Sequence, residues 1–259
     1  MQLGYDRYFV EIEAQTALVG DALPDIDPAA SVPTCPEWTY AYLVRHLGRA
    51  HRRAVAIVNR RPAPPVPGME VPDGEPPDAL KGRADWLRAG AARLAATVRD
   101  AGPDAPVWSW SEPPCAGAWL RRMVHETVVH RADVELGTGR PADVAADLAV
   151  DGVGEFLEML TARAVVAFRP ELGELRGTGQ TLHFRVTDFQ ATDAGAGEWL
   201  VRRDPDRVTV EPGPGRADVA VRAPARDLLL VLYGRLPPDA AEVLGDTDVF
   251  AHWLKRATL

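Results

Sequence analysis

A chain of 259 residues with 46% apolar side chains is long enough for one large domain or two modest ones, each with its own core. The net charge of −8 makes nucleic acid a poor partner, because a nucleic-acid-binding surface needs clustered positive charge. Two cysteines, Cys35 and Cys115, do not indicate a disulfide framework and suit a reducing, cytoplasmic compartment.

The first predicted element is a helix over residues 5–23. Apolar side chains recur there at helical spacing, at Phe9, Ile12, Val19 and Leu23. The same segment is too acidic, and its apolar runs are too short, for a signal peptide. Because no segment of the chain approaches the ~18 apolar residues of a membrane span, we expect no membrane partner.

A second helix is predicted to begin at Thr34, in the sequence TCPEW, and to run to about Asn59. Thr34 and Glu37 have the spacing of a capping box, and Pro36 falls in the first turn, where its missing N–H does no harm. His46 borders the apolar seam of this helix, so its side chain is a candidate for the interior of a bundle. The basic run RAHRR that follows is interpreted as a solvated helix face.

Three further helices are predicted before the pattern changes. Seven prolines between residues 60 and 78 indicate a loop. Helices follow at 79–100, 116–136 and 143–168. Gly137 and Gly139 suit the C-terminal cap of the middle one.

Residues beyond about 170 alternate in strand fashion between turns rich in glycine and proline. Four strands are predicted, at 181–188, 197–203, 207–212 and 217–223. Two helices close the chain, at 224–235 and 248–257. The predicted fold is therefore a mainly α N-terminal helical bundle over residues 1–170, followed by a small α+β domain with an antiparallel sheet over residues 171–259.

The sequence RRMVHETVVHRADVEL, residues 121–136, concentrates metal-capable side chains on the fourth helix. His125 and His130 are five residues apart, so they point about 140° away from each other and cannot bind one ion from the same face. The HExxH motif of metalloproteases needs its histidines four apart, which argues against that class of enzyme. Glu126 and His130 are four apart and do share a face.

That face carries a stripe of side chains that is apolar at both ends and polar in the middle. Its members are Trp119, Met123, Glu126, His130 and Val134. Such a stripe normally faces a core, where a carboxylate without a partner costs several kcal/mol. Either a mutual hydrogen bond or a cation must therefore compensate Glu126. Helical bundles build metal sites from side chains of different helices, and His46 is the third metal-capable group predicted to face this interior.

The sequence VPTCPEWTYAYLVRHLGRAHRRA resembles the opening signature of the mycothiol-dependent maleylpyruvate isomerase family. The stretches HETVVHRADVE, ATDAGAGEW and LLLVLYGRLP continue the resemblance over nearly the whole chain. The resemblance implies a DinB-like metal-binding helical bundle followed by a sterol-carrier-like domain. The family's metal triad matches His46, Glu126 and His130 here, and its functional arginine, in a Gly–Arg pair, is best matched by Arg235.

The resemblance further implies that Zn²⁺, or another divalent metal, and mycothiol act on an electrophilic small molecule. Two histidines and one carboxylate leave a coordination position open, as in catalytic zinc sites. A thiol bound there loses its proton, and its sulfur attacks the double bond of a maleylpyruvate-type substrate or displaces a leaving group. The implied activity is cis–trans isomerisation or thiol S-transfer, with Arg235 holding a substrate carboxylate. The residues flanking Arg235 differ from those of the isomerase, so the substrate stays open.

The residues leave two other functions open. One is a non-catalytic protein that binds a small molecule or a lipid, and the other is a zinc hydrolase, for which Asp133 is the only evident separate base.

Asp133 and His125 are interpreted either as groups that orient the metal ligands or as a helix-end salt bridge and a surface histidine. Trp119 is expected to line the cleft beside the metal. The oligomeric state is not predicted.

Overall fold

The computed structural model describes residues 2–61, 69–78, 80–190 and 195–259. Its contacts divide the chain into two compact units, residues 4–142 and residues 143–259, and the first three residues group with the second unit. The boundary predicted near residue 170 lies further along the chain than this division. The helical segment that was predicted to complete the bundle therefore groups with the C-terminal unit.

Four helices form the N-terminal unit. They are α1 (Tyr5–Ala22), α2 (Tyr40–Arg60), α3 (Leu80–Ala101) and α4 (Ala116–Gly137). α1 and α2 each pack against both α3 and α4. α4 is the innermost of the four, since nearly every side chain over its first five turns is buried. Its C-terminus is closed as predicted, with Gly139 in the left-handed region at φ 71°.

A two-stranded hairpin precedes α2, and its strands are β1 (Ser31–Val32) and β2 (Cys35–Thr39). The prediction that α2 begins at Thr34 is therefore wrong. The backbone of β2 pairs with β1 instead of coiling, and the Thr39 hydroxyl accepts the N–H of Tyr42 at 3.2 Å. Thr39 is thus the N-cap, and the spacing of Thr34 and Glu37 does not form a capping box.

The proline-rich connection after α2 lies partly outside the described residues, which resume at residue 69. Residues 69–78 form no helix or strand, as predicted. They are fixed to the helices at two points, because the Trp86 indole N–H donates to the Asp73 carbonyl at 2.9 Å and Arg45 donates to Glu75 through two nitrogens. This segment therefore packs on α2 and α3.

The C-terminal unit begins with two helices, α5 (Ala146–Thr161) and α6 (Arg163–Phe168). The prediction of one continuous helix over 143–168 is wrong at Ala162. The backbone there is extended, with φ −64° and ψ 126°, and this residue separates the two helices. Of these two helices, α5 contributes buried side chains to the core of the unit and α6 contributes none.

A five-stranded sheet with two helices completes the C-terminal unit. The strands are β3 (Gln180–Val186), β4 (Glu198–Arg203), β5 (Val208–Pro212), β6 (Val219–Ala223) and β7 (Glu242–Gly245). Their order is β5-β4-β3-β6-β7, and all pairs are antiparallel except β3 with β6. The helices are α7 (Ala225–Leu232), which packs on α5, and α8 (Thr247–Arg256), which packs on β3 and β6.

The predicted fold class, a mainly α bundle followed by an α+β domain, is confirmed by this architecture. The four predicted strands are present, and the short strand β7 is an addition that the sequence pattern did not indicate. Among the described helices, none is both long enough and apolar enough to cross a membrane.

Candidate metal centre

Three side chains from two helices converge in the N-terminal unit. His46 comes from α2, and Glu126 and His130 come from consecutive turns of α4. The Nε2 atom of His46 lies 2.8 Å from Oε1 of Glu126, and Nε2 of His130 lies 3.4 Å from the same oxygen. One donor atom from each residue lies within 4.8 Å of the other two. The three residues selected by helical spacing are therefore brought together, in a geometry that could hold one metal ion.

The two carboxylate oxygens of Glu126 face different partners. Oε1 faces both imidazoles, whereas Oε2 accepts a hydrogen bond from the guanidinium of Arg122, one turn earlier on α4. Burial raises the pKa of this carboxyl, but the positive charge of Arg122 and the hydrogen bonds of His130 and His46 hold it well below its ordinary value. Glu126 is consequently an anion with one oxygen available at the cluster.

His130 is oriented by a second carboxylate. Its Nδ1 donates to Oδ2 of Asp133 at 2.8 Å, and the other Asp133 oxygen accepts the hydroxyl of Thr34 at 2.5 Å. Burial lowers the pKa of His130, but the hydrogen bonds with Asp133 and Glu126 raise it overall to about 9. The Asp133 contact places a proton on Nδ1 and leaves Nε2 as the atom directed at the cluster. The orienting interpretation of Asp133 is therefore the one that the geometry supports.

An aromatic wall covers the two imidazoles from the side of the hairpin. The Trp38 indole of β2 lies 4.7 Å from the His46 ring and stacks on the His130 ring at 5.5 Å and 28°. The side chains of His46, Glu126 and His130 retain 32%, 18% and 7% of their exposure. A ligand can therefore reach the cluster most readily beside His46 and Glu126.

A buried histidine behind the cluster was given no role by its sequence position. His51 is fully buried, and its Nε2 lies 2.9 Å from the Thr127 hydroxyl, which itself donates to the Met123 carbonyl. His51 must therefore donate to Thr127. Burial, and then the positive charge of Arg52, lower the pKa of His51 to about 3. The residue is a neutral hydrogen-bond donor that ties α2 to α4.

Several other sequence expectations are corrected or left as predictions. The basic run RAHRR is not a wholly solvated face, because His51 is fully buried and only 6% of Arg52 is exposed. His125 is fully buried too, so its interpretation as a surface histidine is wrong.

Arg235 lies in the C-terminal unit just after α7, where its side chain donates to the Tyr233 carbonyl at 2.7 Å. Its role in a substrate site stays a prediction.

Sequence reasoning missed three residues of the site: Thr34, Trp38 and Arg122. Arg122 precedes Glu126 by four residues, so helical spacing could have identified this pair. Thr34 and Asp133 are 99 residues apart, and no local signal connects them. The position of Trp38 depends on the hairpin, which the helix prediction excluded.

Models of known protein families match both units of the chain. The model of the mycothiol maleylpyruvate isomerase N-terminal domain matches residues 9–135, and that of the corresponding C-terminal domain matches residues 147–252. A crystal structure of the mycothiol-dependent maleylpyruvate isomerase is similar, with 15% identity and a TM-score of 0.58. A histidine-to-alanine mutant of that enzyme gives 14% and 0.56, and each match covers 93% of both chains. This likeness shows the fold alone, and no protein of curated function matches the sequence.

We predict that His51 makes the metal-free protein sensitive to mild acid. Its folded pKa of about 3 lies below the ordinary 6.5, so only the unfolded chain takes up the proton as the pH falls below 6.5. Between pH 7 and pH 5 this costs about 2 kcal/mol of unfolding free energy, from 1.36 kcal/mol per pH unit. Urea unfolding of wild type and His51→Gln in EDTA should show this loss in wild type only.

The partly exposed His252 provides the control for that measurement. His252→Gln should retain the wild-type loss between the two pH values, because its ring is not fully buried and contacts the Glu174 carbonyl. An equal loss in wild type and His51→Gln would contradict the prediction.

Proposed function

The chain belongs to the mycothiol maleylpyruvate isomerase family, and on that premise we propose that it is a metal-dependent, mycothiol-using enzyme that isomerises a maleylpyruvate-type substrate. The observation that carries this proposal is the convergence of His46, Glu126 and His130 on one point. Family membership supports an enzyme that uses mycothiol. The geometry of the three donors supports a metal.

The donor set fits a divalent transition metal. Two imidazole nitrogens and one carboxylate oxygen are the ligands of catalytic zinc sites, and they leave one position for an outside ligand. His46, Glu126 and His130 would hold the ion, which is Zn²⁺ or another ion that accepts nitrogen and oxygen ligands. The ion would also compensate the free-energy cost of burying three polar groups close together.

A bound ion would supply positive charge that favours the thiolate form of mycothiol, whose reversible addition to a cis double bond allows rotation to the trans isomer. The residues of the chain prepare the site for this. Asp133 holds the tautomer of His130, Arg122 keeps Glu126 ionised, and Trp38 excludes water from one side of the imidazoles. The same sulfur would give S-transfer with a halide or an epoxide, so the choice of electrophile sets the reaction.

We assign Arg235 to the substrate. A guanidinium forms two parallel hydrogen bonds with a carboxylate, and a maleylpyruvate-type substrate carries carboxylates. Gly234, with φ 70°, turns the backbone immediately after α7 and sets the direction in which the Arg235 side chain leaves the helix.

Asp133 is poorly placed to serve as the general base that a zinc hydrolase would need. Asp133 is fully buried, with one oxygen on the His130 imidazole and the other on the Thr34 hydroxyl. A general base must be within hydrogen-bond reach of the attacking water. Asp133 orients a metal ligand and is not placed to act as a base on a metal-bound water.

His130→Ala tests the proposed function most directly. We expect bound metal to fall from about one equivalent to near zero, together with the loss of thiol-dependent turnover, because two ligands do not retain a zinc ion. Elemental analysis and an isomerase assay with mycothiol measure the two quantities. His252→Ala, a surface histidine of α8, should change neither. Full turnover by metal-stripped wild type would overturn the proposal.

Asp133→Asn tests the orientation of His130. We expect the affinity for Zn²⁺ to fall about 10- to 100-fold, since the amide no longer fixes the proton on Nδ1. A competition titration with a chromophoric chelator measures this affinity. Asp100→Asn, an exposed site on α3, should keep the wild-type value. Unchanged affinity in Asp133→Asn would show that the contact does not orient the ligand.

Arg235→Ala tests the substrate assignment. We expect KM for a dicarboxylate substrate to rise about tenfold or more while bound metal is unchanged, because a charge-assisted pair is lost. Arg235→Lys should recover part of the loss, since a lysine keeps the charge without the planar fork. The exposed Arg216→Ala is the control. If KM responds equally in both alanine variants, Arg235 has no specific role.

A further inference from the structure

The innermost helix of the bundle, α4, is buried over most of its length. From Ala116 to Val134, every side chain of α4 is buried except those of Trp119 and Glu126. These two residues are seven positions apart, which is two helical turns less about 20°, so they lie on one line along the helix. Their separation along the axis is roughly 10 Å. One of the two openings is the candidate metal centre, and the other lies about two turns earlier on the same helix.

Three tryptophans occupy the second opening, and we call them the tryptophan cluster: Trp108, Trp110 and Trp119. The Trp119 ring lies between the other two, with centroids 6.1 Å from Trp108 and 5.0 Å from Trp110. Its indole N–H donates to the Trp108 carbonyl at 2.7 Å, which fixes the loop before α4 to the helix. Each of the three side chains is partly exposed.

The cluster is not explained by packing alone. Trp199 and Trp253 are buried in the C-terminal unit, Trp38 covers the imidazoles, and Trp86 lies under the Arg52 guanidinium at 4.1 Å. The tryptophan cluster keeps accessible ring surface instead. Within the described part of the chain, neither the Trp108 nor the Trp110 indole N–H has a hydrogen-bond acceptor. The cluster thus offers both aromatic faces and hydrogen-bond donors to a ligand.

We propose that the tryptophan cluster binds the polyhydroxylated ring portion of the thiol while its sulfur reaches the metal centre. This inference rests on the proposed function. Mycothiol carries its cysteine on a glucosamine–inositol unit, whose C–H faces can pack on aromatic rings and whose hydroxyls can accept from indole N–H groups. The line from Trp119 to Glu126 gives an extended thiol of this kind a place for each end. A small thiol such as N-acetylcysteine would reach only the metal end.

The ratio of kcat/KM for mycothiol to kcat/KM for N-acetylcysteine tests the proposal. In Trp110→Leu we expect this ratio to fall about fivefold, since an aromatic packing contact is worth about 1 kcal/mol. Trp110→Phe keeps a ring without the N–H and should lie between Leu and wild type. Phe168→Leu, which removes a 78% exposed aromatic side chain from α6, should leave the ratio unchanged. An unchanged ratio in Trp110→Leu would overturn the proposal.

A binding measurement separates this proposal from the proposed function. The glucosamine–inositol unit without its cysteine should quench the tryptophan fluorescence of the metal-stripped protein, and Trp110→Phe should weaken that binding. If wild type binds the glycoside but shows no metal-dependent turnover, the tryptophan cluster is supported as a binding site and the proposed isomerase function is overturned. If turnover depends on metal but the glycoside does not bind at the tryptophans, the role of the tryptophan cluster is overturned and the proposed isomerase function stands.

Discussion

The need to compensate one carboxylate on an almost completely buried helix governs the N-terminal unit. Glu126 lies on α4. Between Ala116 and Val134, every other side chain of this helix except that of Trp119 is buried. The charge of Glu126 is retained because a guanidinium on the same helix and an imidazole on each side approach it. One of these imidazoles belongs to α2. The charge of Glu126 therefore connects α4 to α2 through the His46 imidazole.

A chain of polar contacts extends this constraint outward from the cluster. Asp133 connects His130 to Thr34, and Thr34 belongs to the hairpin that also supplies Trp38. On the opposite side, His51 donates to Thr127, one residue from Glu126. The contacts of His46 with Glu126 and of His51 with Thr127 thus favour one register of α2 against α4 over its neighbours. This network positions the candidate ligands.

The sequence predicted the candidate ligands because their geometry is local or periodic. Glu126 and His130 share a face by spacing alone, and His46 borders an apolar seam that could face only the interior. Thr34 and Trp38 escaped prediction for a different reason. The Thr34–Glu37 spacing imitates a capping box, and only pairing with β1 decides that Cys35–Thr39 is a strand. The break at Ala162 and the four-residue strand β7 likewise depend on tertiary contacts that no short pattern records.

The two oxygens of the Glu126 carboxylate have different partners, which bears on the kind of cation that the proposed metal centre would bind. Because Arg122 occupies Oε2, the side chain presents a single oxygen, and bidentate chelation would require breaking an ion pair. Ca²⁺ seeks six to eight oxygens and commonly takes both atoms of a carboxylate, while Mg²⁺ prefers an octahedral shell of oxygen and water. Neither alkaline-earth ion gains much from two imidazoles and half a carboxylate. In the proposed metal centre, the contact between Arg122 and Oε2 would therefore disfavour the binding of hard cations.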